Sequence, residues 1–182
     1  MTLVAQALSL RAATPRDIPA LEALIARSAR ALSRAYYDAD QIEAAIEHVF
    51  GVDSELVDDG SYFMAEWHGA LAGCGGWSRR ATLFGGDRFA RRSSALLDPA
   101  TDAARIRAFF VAEHQARRGV GRALLSACES AAAAAGFGRA TLMATLPGEP
   151  FYAAHGYGAT IRQTQICGGI AVPFVTMNKS LS

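Results

Sequence analysis

The stretch Val111-Ala112-Glu113-His114-Gln115-Ala116-Arg117-Arg118-Gly119-Val120-Gly121-Arg122-Ala123-Leu124-Leu125 decides how this chain is read. An apolar strand candidate, residues 106–111, runs into a short basic loop with two glycines, and an amphipathic helix follows at once. That order makes a site for an anionic diphosphate. Glycines let the backbone approach oxygen atoms closely, and N–H groups left free at a first helical turn point at the ligand. Arg117, Arg118 and Arg122 add guanidinium forks suited to phosphate geometry.

Two other glycine loops fail on residues. A dinucleotide fingerprint, G-x-G-x-x-G, needs glycine at position 124, where Leu124 stands, and an acid some twenty residues on. The phosphate loop of nucleotide triphosphatases needs Gly-Lys-Ser/Thr, and Gly121 is followed by Arg122-Ala123.

Ala116-Arg117-Arg118-Gly119-Val120-Gly121 resembles the acetyl-CoA loop of the GCN5-related N-acetyltransferase (GNAT) family, Gln/Arg-x-x-Gly-x-Gly/Ala. Ala116 departs from that pattern, Gln115 lies one residue early, and Glu113 stands where the family often has proline. Downstream, Pro150-Phe151-Tyr152-Ala153-Ala154-His155-Gly156-Tyr157 is similar to the family's Phe-Tyr-x-x-x-Gly-Phe segment, a short helix beside the thioester. Seven residues before Tyr152, Thr145 stands where many relatives carry an asparagine that contacts the pantetheine arm. The resemblance covers roughly residues 8–180.

The resemblance implies an α/β (α+β) chain with the acyl-CoA N-acyltransferase fold: a mixed central sheet of about six or seven strands flanked by about four helices. It implies acetyl-CoA as cosubstrate and no metal. The cofactor-binding candidates are Phe110, Val111, Arg117, Arg118, Gly119, Val120, Gly121, Arg122 and Thr145. The acetyl-CoA is expected between two splayed strands ending near Val111 and Thr145. Direct attack by an amine is expected, with backbone N–H groups near Val111 polarising the carbonyl. Tyr152 aligns with the tyrosine that commonly protonates the departing thiolate, although a tyrosine there also packs simply as an amphipathic ring. Tyr36 and Tyr37, between the first two helices, are acceptor-cleft candidates, as are Glu66 and Trp77 on neighbouring strands; core packing or solvation is the plainer reading of each. Glu66, Glu113 and His114 are each candidates for the base, a water relay is equally open, and none is assigned.

Along the chain, residues 9–12 read as a strand, and Thr14-Pro15-Arg16-Asp17 has the form of a helix start. Ile18, Leu21, Leu24, Ile25, Ser28 and Leu32 follow at helical spacing. Asp38-Ala39-Asp40-Gln41 opens a second helix carrying Ile42, Ala45, Ile46, Val49 and Phe50 on one side. Residues 61–67 and 70–77 read as strands about a His68-Gly69 turn; Gly73, Gly75 and Gly76 mark a bulge or a close backbone approach. Residues 81–103 are irregular, a length usual for a lid or a mobile segment. Then come a strand at 105–111, a helix at 121–135 with Leu124, Leu125, Cys128 and Ala132 facing in, a strand at 140–145, and the Phe151–Tyr152 helix. A hairpin closes the order, 160–167 and 170–178 about Gly168-Gly169.

With 182 residues, 51% of them hydrophobic, the chain can bury one substantial core, and residues 1–182 are expected to form one domain. A formal net charge of +1 argues against a nucleic-acid binder held by counterion release. Three cysteines, Cys74, Cys128 and Cys167, suggest neither a disulfide framework nor a metal site. Residues 1–10 are apolar with no basic residue ahead of the run and are too short for a bilayer, so a reduced cytoplasmic setting away from membranes is expected. The expected activity is acetyl transfer from acetyl-CoA to a primary amine. A small acceptor is preferred, since no charged docking tract stands out. A non-catalytic acyl-CoA sensor and a protein (lysine or N-terminal) acetyltransferase remain the alternatives. A homodimer is expected by analogy with folds that expose terminal strands.

Overall fold

The computed structural model describes residues 7–181. Among them the chain forms β1 (Leu8–Ala12), α1 (Ile18–Leu32), α2 (Ala39–His48), α3 (Ser54–Asp58), β2 (Tyr62–Trp67) and β3 (Ala70–Ser78). There follow β4 (Ala104–Val111), α4 (Val120–Ala134), β5 (Arg139–Thr145), α5 (Glu149–Ala154), β6 (Gly158–Cys167) and β7 (Ile170–Ser180). The sheet runs β1-β2-β3-β4-β5-β7-β6. All neighbours are antiparallel except β4 and β5, which are parallel.

Local chemistry explains where the elements begin. Asp17 accepts hydrogen bonds from Thr14 N and Thr14 Oγ1, both 2.8 Å, which closes the turn ahead of α1. Asp38 accepts from Gln41 N at 2.8 Å while Gln41 Oε1 accepts from Asp38 N at 3.1 Å, a reciprocal cap for α2. His68 (φ +49°) and Gly69 (φ +80°) both take positive φ, as a two-residue hairpin turn matched to strand twist requires. The five-residue α3 is absent from the sequence reading because one turn of helix shows no period.

Helices cover both faces. On one, α1, α2 and α3 bury Leu21, Leu24, Ile25, Val49, Leu56, Tyr62 and Phe174. On the other, Val120, Leu124, Leu125, Cys128 and Ala132 of α4 are buried against the sheet, the stripe expected from their spacing.

Two features of β4 shape the centre of the sheet. Ala108 takes φ +53°, the β3–β4 register shifts between Cys74 and Gly76, and Tyr62 Oη donates to Ala108 O at 2.9 Å. This bulge lays the Phe109 ring over Gly75, where any Cβ would lie 2.4 Å from ring carbons. The glycines of the return strand therefore serve close approach. Beside the bulge, β4 and β5 pair only at Ala104↔Ala140 and Arg105↔Thr141. Beyond those positions toward their C-terminal ends they are unpaired.

Candidate active site

The parting of β4 from β5 opens a cavity of about 770 Å³. Its lining includes Phe110, Val111, Arg117, Gly119, Gly121, Arg122, Thr145 and Tyr152. Eight residues singled out in the sequence are thus brought together. Tyr36 joins them from the end of α1, 48% exposed.

The loop into α4 leaves backbone N–H groups free at a helix start. Arg117 (φ +64°) and Gly119 (φ +85°) turn the backbone through the left-handed region, and Gly119 is the N-cap of α4. A side chain at Gly119 would meet no neighbour within 4 Å, so conformation and not space requires glycine there. The first helical hydrogen bond runs from Ala123 N to Gly119 O at 3.0 Å, which leaves the N–H groups of Val120, Gly121 and Arg122 ahead of the ladder. A Cβ on Gly121 would lie 3.2 Å from the Phe151 ring tip, so this turn packs closely on α5. A diphosphate fits such donors, with Arg117 and Arg122 on the same lining. Val120 is turned into the core at 1% exposure, and Arg118 is exposed outside the cavity, so neither side chain lines it.

At the strand ends the polar groups have defined partners. Ser28 Oγ donates to Val111 O at 2.7 Å, tying α1 to the tip of β4. Thr145 Oγ1 accepts from Gly148 N at 3.1 Å, so its hydroxyl closes the turn into α5. Tyr152 is buried, with Phe109, Phe151 and Tyr157 ring centroids 6.3, 5.1 and 5.7 Å away. Burial pushes its phenol well above the ordinary tyrosine range, so it is held protonated.

Several sequence candidates lie elsewhere. Tyr37 is buried off the cavity: its hydroxyl donates to Pro173 O at 2.7 Å and accepts from Leu146 N at 2.9 Å, and burial raises its pKa to about 12. It clamps the α1–α2 turn to β7 and to the end of β5. Trp77 packs edge-on to Phe137 on the α4 face, centroids 6.2 Å apart. Glu66 lies beside Arg11, 3.5 Å away, on a strand two removed from β4. Glu113 and His114 are exposed in a 3-10 turn before α4. No aspartate or glutamate lines the cavity among the described residues. The three cysteines are free, buried and outside it, and burial pushes the Cys74 thiol up to about 12.

The segment between β3 and β4 forms one wall, through Phe84, Gly85 and Gly86. It is tied down at several points. Arg80 pairs with Asp59 at 2.8 Å, Arg92 with Asp53 at 2.8 Å, and Arg88 with Glu22. Gly86 N donates to Val49 O at 2.8 Å, and Arg88 Nη1 to Phe50 O at 2.8 Å. Sequence reasoning missed this wall, because the ion pairs that fasten it, Arg80 to Asp59, Arg88 to Glu22 and Arg92 to Asp53, join residues 21 to 66 positions apart.

No helix among the described residues is long and apolar enough to cross a membrane, and no group of three or more His, Cys, Asp or Glu side chains there could hold a metal.

Comparison with known proteins agrees with this architecture. The structure is similar to a GCN5-related N-acetyltransferase (aminotransferase, class-II) from Rhodopseudomonas palustris, with a TM-score of 0.71, 25% identity and 99% of each chain covered. It shares its fold with the PaiA N-acetyltransferase of Thermoplasma acidophilum, solved in complex with coenzyme A, at TM-score 0.63 and 13% identity, covering 96% of this chain and 99% of that one. The yncA protein of Salmonella typhimurium, solved with acetyl-CoA, gives TM-score 0.62 and 14% identity over 97% and 95% of the two chains. No curated protein matches the chain. The family described as Acetyltransferase (GNAT) matches residues 21–157, which run from α1 past α5 and take in both the α4 loop and Tyr152. A splayed sheet, a helix start with free backbone N–H groups and a family match across three quarters of the sequence make this chain a member of the GNAT acetyltransferase family.

Proposed function

We propose that the chain, acting as one domain, transfers an acetyl group from acetyl-CoA to the primary amine of a small molecule. The observation that carries this is the meeting of the α4 N-terminus with the β4–β5 gap in one cavity. Coenzyme A bound in this cavity would place the diphosphate on the N–H groups at 120–122 and the thioester between the strands. Acetyl-CoA supplies an activated acyl group; the residues of this chain do the rest. Binding energy from the remote diphosphate positions the reacting carbon. Backbone N–H groups near Val111 stabilise the negative charge that develops on the carbonyl oxygen. Tyr152, kept protonated by burial, donates to the departing sulfur.

A homodimer belongs to the same reading: the edge strand β6 leaves Ile161 and Ile166 57% and 70% exposed beside an unpaired row of backbone groups.

The experiment is titration of acetyl-CoA into the wild type and into Gly121→Glu, with CoA release measured over a panel of amines. A glutamate at 121 sits in the first turn of α4, where it suits the helix dipole but faces the phosphates. Wild type is expected to bind and to release CoA only with amine present; Gly121→Glu is expected to fold and to bind at least 10²-fold more weakly, about 2.7 kcal/mol. Equal binding by both would remove the loop from the function.

A further inference from the structure

The acceptor end of the cavity has an unusual charge balance for a site that must hold an amine. Its wall is aromatic. Phe50 meets Phe110 and Phe174 edge-on, with centroids 5.3 and 6.3 Å away, and Phe84 lies tilted on Phe174 at 5.7 Å. No carboxylate lines the space among the described residues, and its formally charged residues are arginines. Behind the Phe84 wall, the fully buried Asp53 is shared by two guanidiniums, Arg92 at 2.8 Å and Arg107 at 2.5 Å. Glu55 also lies 3.5 Å from Arg92, and Arg107, which lines the cavity, keeps Nε and Nη1 without a hydrogen-bond partner.

An ammonium brought here would lose its hydration, find no counter-ion and face like charge. An amine of lysine-like basicity is neutral for only about one part in 10³ at pH 7. No carboxylate lines the cavity to take its proton, and the imidazole on the lining, His155, stacks on Phe151 beside the α4 loop and away from the Phe50, Phe84 and Phe174 wall, so such an amine would enter through that fraction. We infer that the acceptor is an aromatic primary amine with no second positive charge, an arylamine whose nitrogen is already neutral at pH 7. Its ring packs among Phe50, Phe84 and Phe174. The nitrogen lone pair forms the new C–N bond as the C–S bond breaks. The surplus N–H proton goes to water at the mouth, and the thiolate takes the Tyr152 proton, which water restores. This rests on the acetyltransferase reading and narrows its substrate class.

The test compares 4-methylaniline, 2-phenylethylamine, spermidine and a lysine peptide, in CoA release and by calorimetry into the CoA-loaded protein. At pH 7 the expected kcat/KM, per total amine, falls from the arylamine to phenylethylamine and by about 10²-fold or more to spermidine and the peptide. Phenylethylamine should gain about tenfold per pH unit between pH 7 and 9, in proportion to its neutral fraction, while 4-methylaniline stays flat. Preference for spermidine or the peptide, or a flat profile for phenylethylamine, would overturn the inference and leave acetyl transfer standing. Binding of 4-methylaniline with no turnover of any amine would uphold the ligand class and overturn acetyl transfer. Spermidine binding more tightly than the arylamine would overturn the ligand class whatever the turnover. A carboxylate placed in the wall, Phe84→Glu, should raise spermidine binding at least tenfold if charge balance is what excludes it.

Discussion

Tyr152 is the residue at which family position and physical environment meet. Its ring packs among three aromatic neighbours, so removing only the hydroxyl leaves the packing in place. Tyr152→Phe is therefore expected to keep acetyl-CoA affinity and thermal stability while lowering kcat by about 10²-fold, the low end for a lost general acid. Unchanged steady-state turnover would return the tyrosine to a packing role. The loop residues around Gly119 and Gly121 are legible in the sequence because backbone demands are local: a left-handed turn ahead of a helix leaves glycines at set positions. Side-chain roles are less so. Tyr36 and Tyr37 are adjacent, yet one faces the cavity and the other is buried as a clamp on Pro173 and Leu146. Nothing in two neighbouring tyrosines distinguishes them without the strands they meet. Trp77 fails as a cleft candidate for a related reason: its side of β3 is decided by the sheet around it, which puts it against Phe137.

At the scale of elements, the segment from 79 to 103 departs furthest from its sequence reading. Low periodicity suggests a lid or a mobile stretch, but arginines fasten it to α1 and to the α3 region, and Gly86 approaches so closely that a Cβ would lie 2.6 Å from Gly51 O. Asp53 is the anchor. It N-caps α3, is 0% exposed, and holds Arg92 and Arg107, whose guanidiniums in turn donate to the carbonyls of Gly86 and Gly85. Breaking a buried pair from one side leaves charge uncompensated. Asp53→Asn should then cost about 3 kcal/mol, read as a lower urea midpoint at unchanged slope. Acceptor KM should rise more than acetyl-CoA affinity falls, because the wall and not the loop is loosened. A loss below about 0.5 kcal/mol would mean that the cluster does not hold the wall. The regular elements, by contrast, were legible to within a few residues. The helices carry apolar faces at helical spacing and the strands are short apolar runs bounded by turn residues, whereas the wall is built from contacts such as Asp53 to Arg92, 39 residues apart in sequence.

Across the whole molecule, the sheet is two halves joined at a narrow seam. The β1–β4 half and the β5–β7–β6 half share only two paired positions. Two side-chain contacts reinforce this region: Ser28 on Val111 O, and Tyr37 on Pro173 O and Leu146 N. The gap proposed to admit the cosubstrate is thus also a place where backbone hydrogen bonds are missing from an otherwise continuous sheet. A ligand lying between β4 and β5, anchored on α4, bridges the halves and binds only when both are folded. At a concentration of acetyl-CoA about 100 times its Kd, linkage gives about 2.7 kcal/mol of added stability. For a chain of this size that corresponds to a rise in Tm of roughly 5 to 11 °C. Gly121→Glu, which removes the anchor without touching the seam, should show a near-native Tm alone and little of that rise with ligand. A full ligand-induced rise in this variant would place the stabilising contacts away from α4 and remove the link between diphosphate binding and closure of the seam.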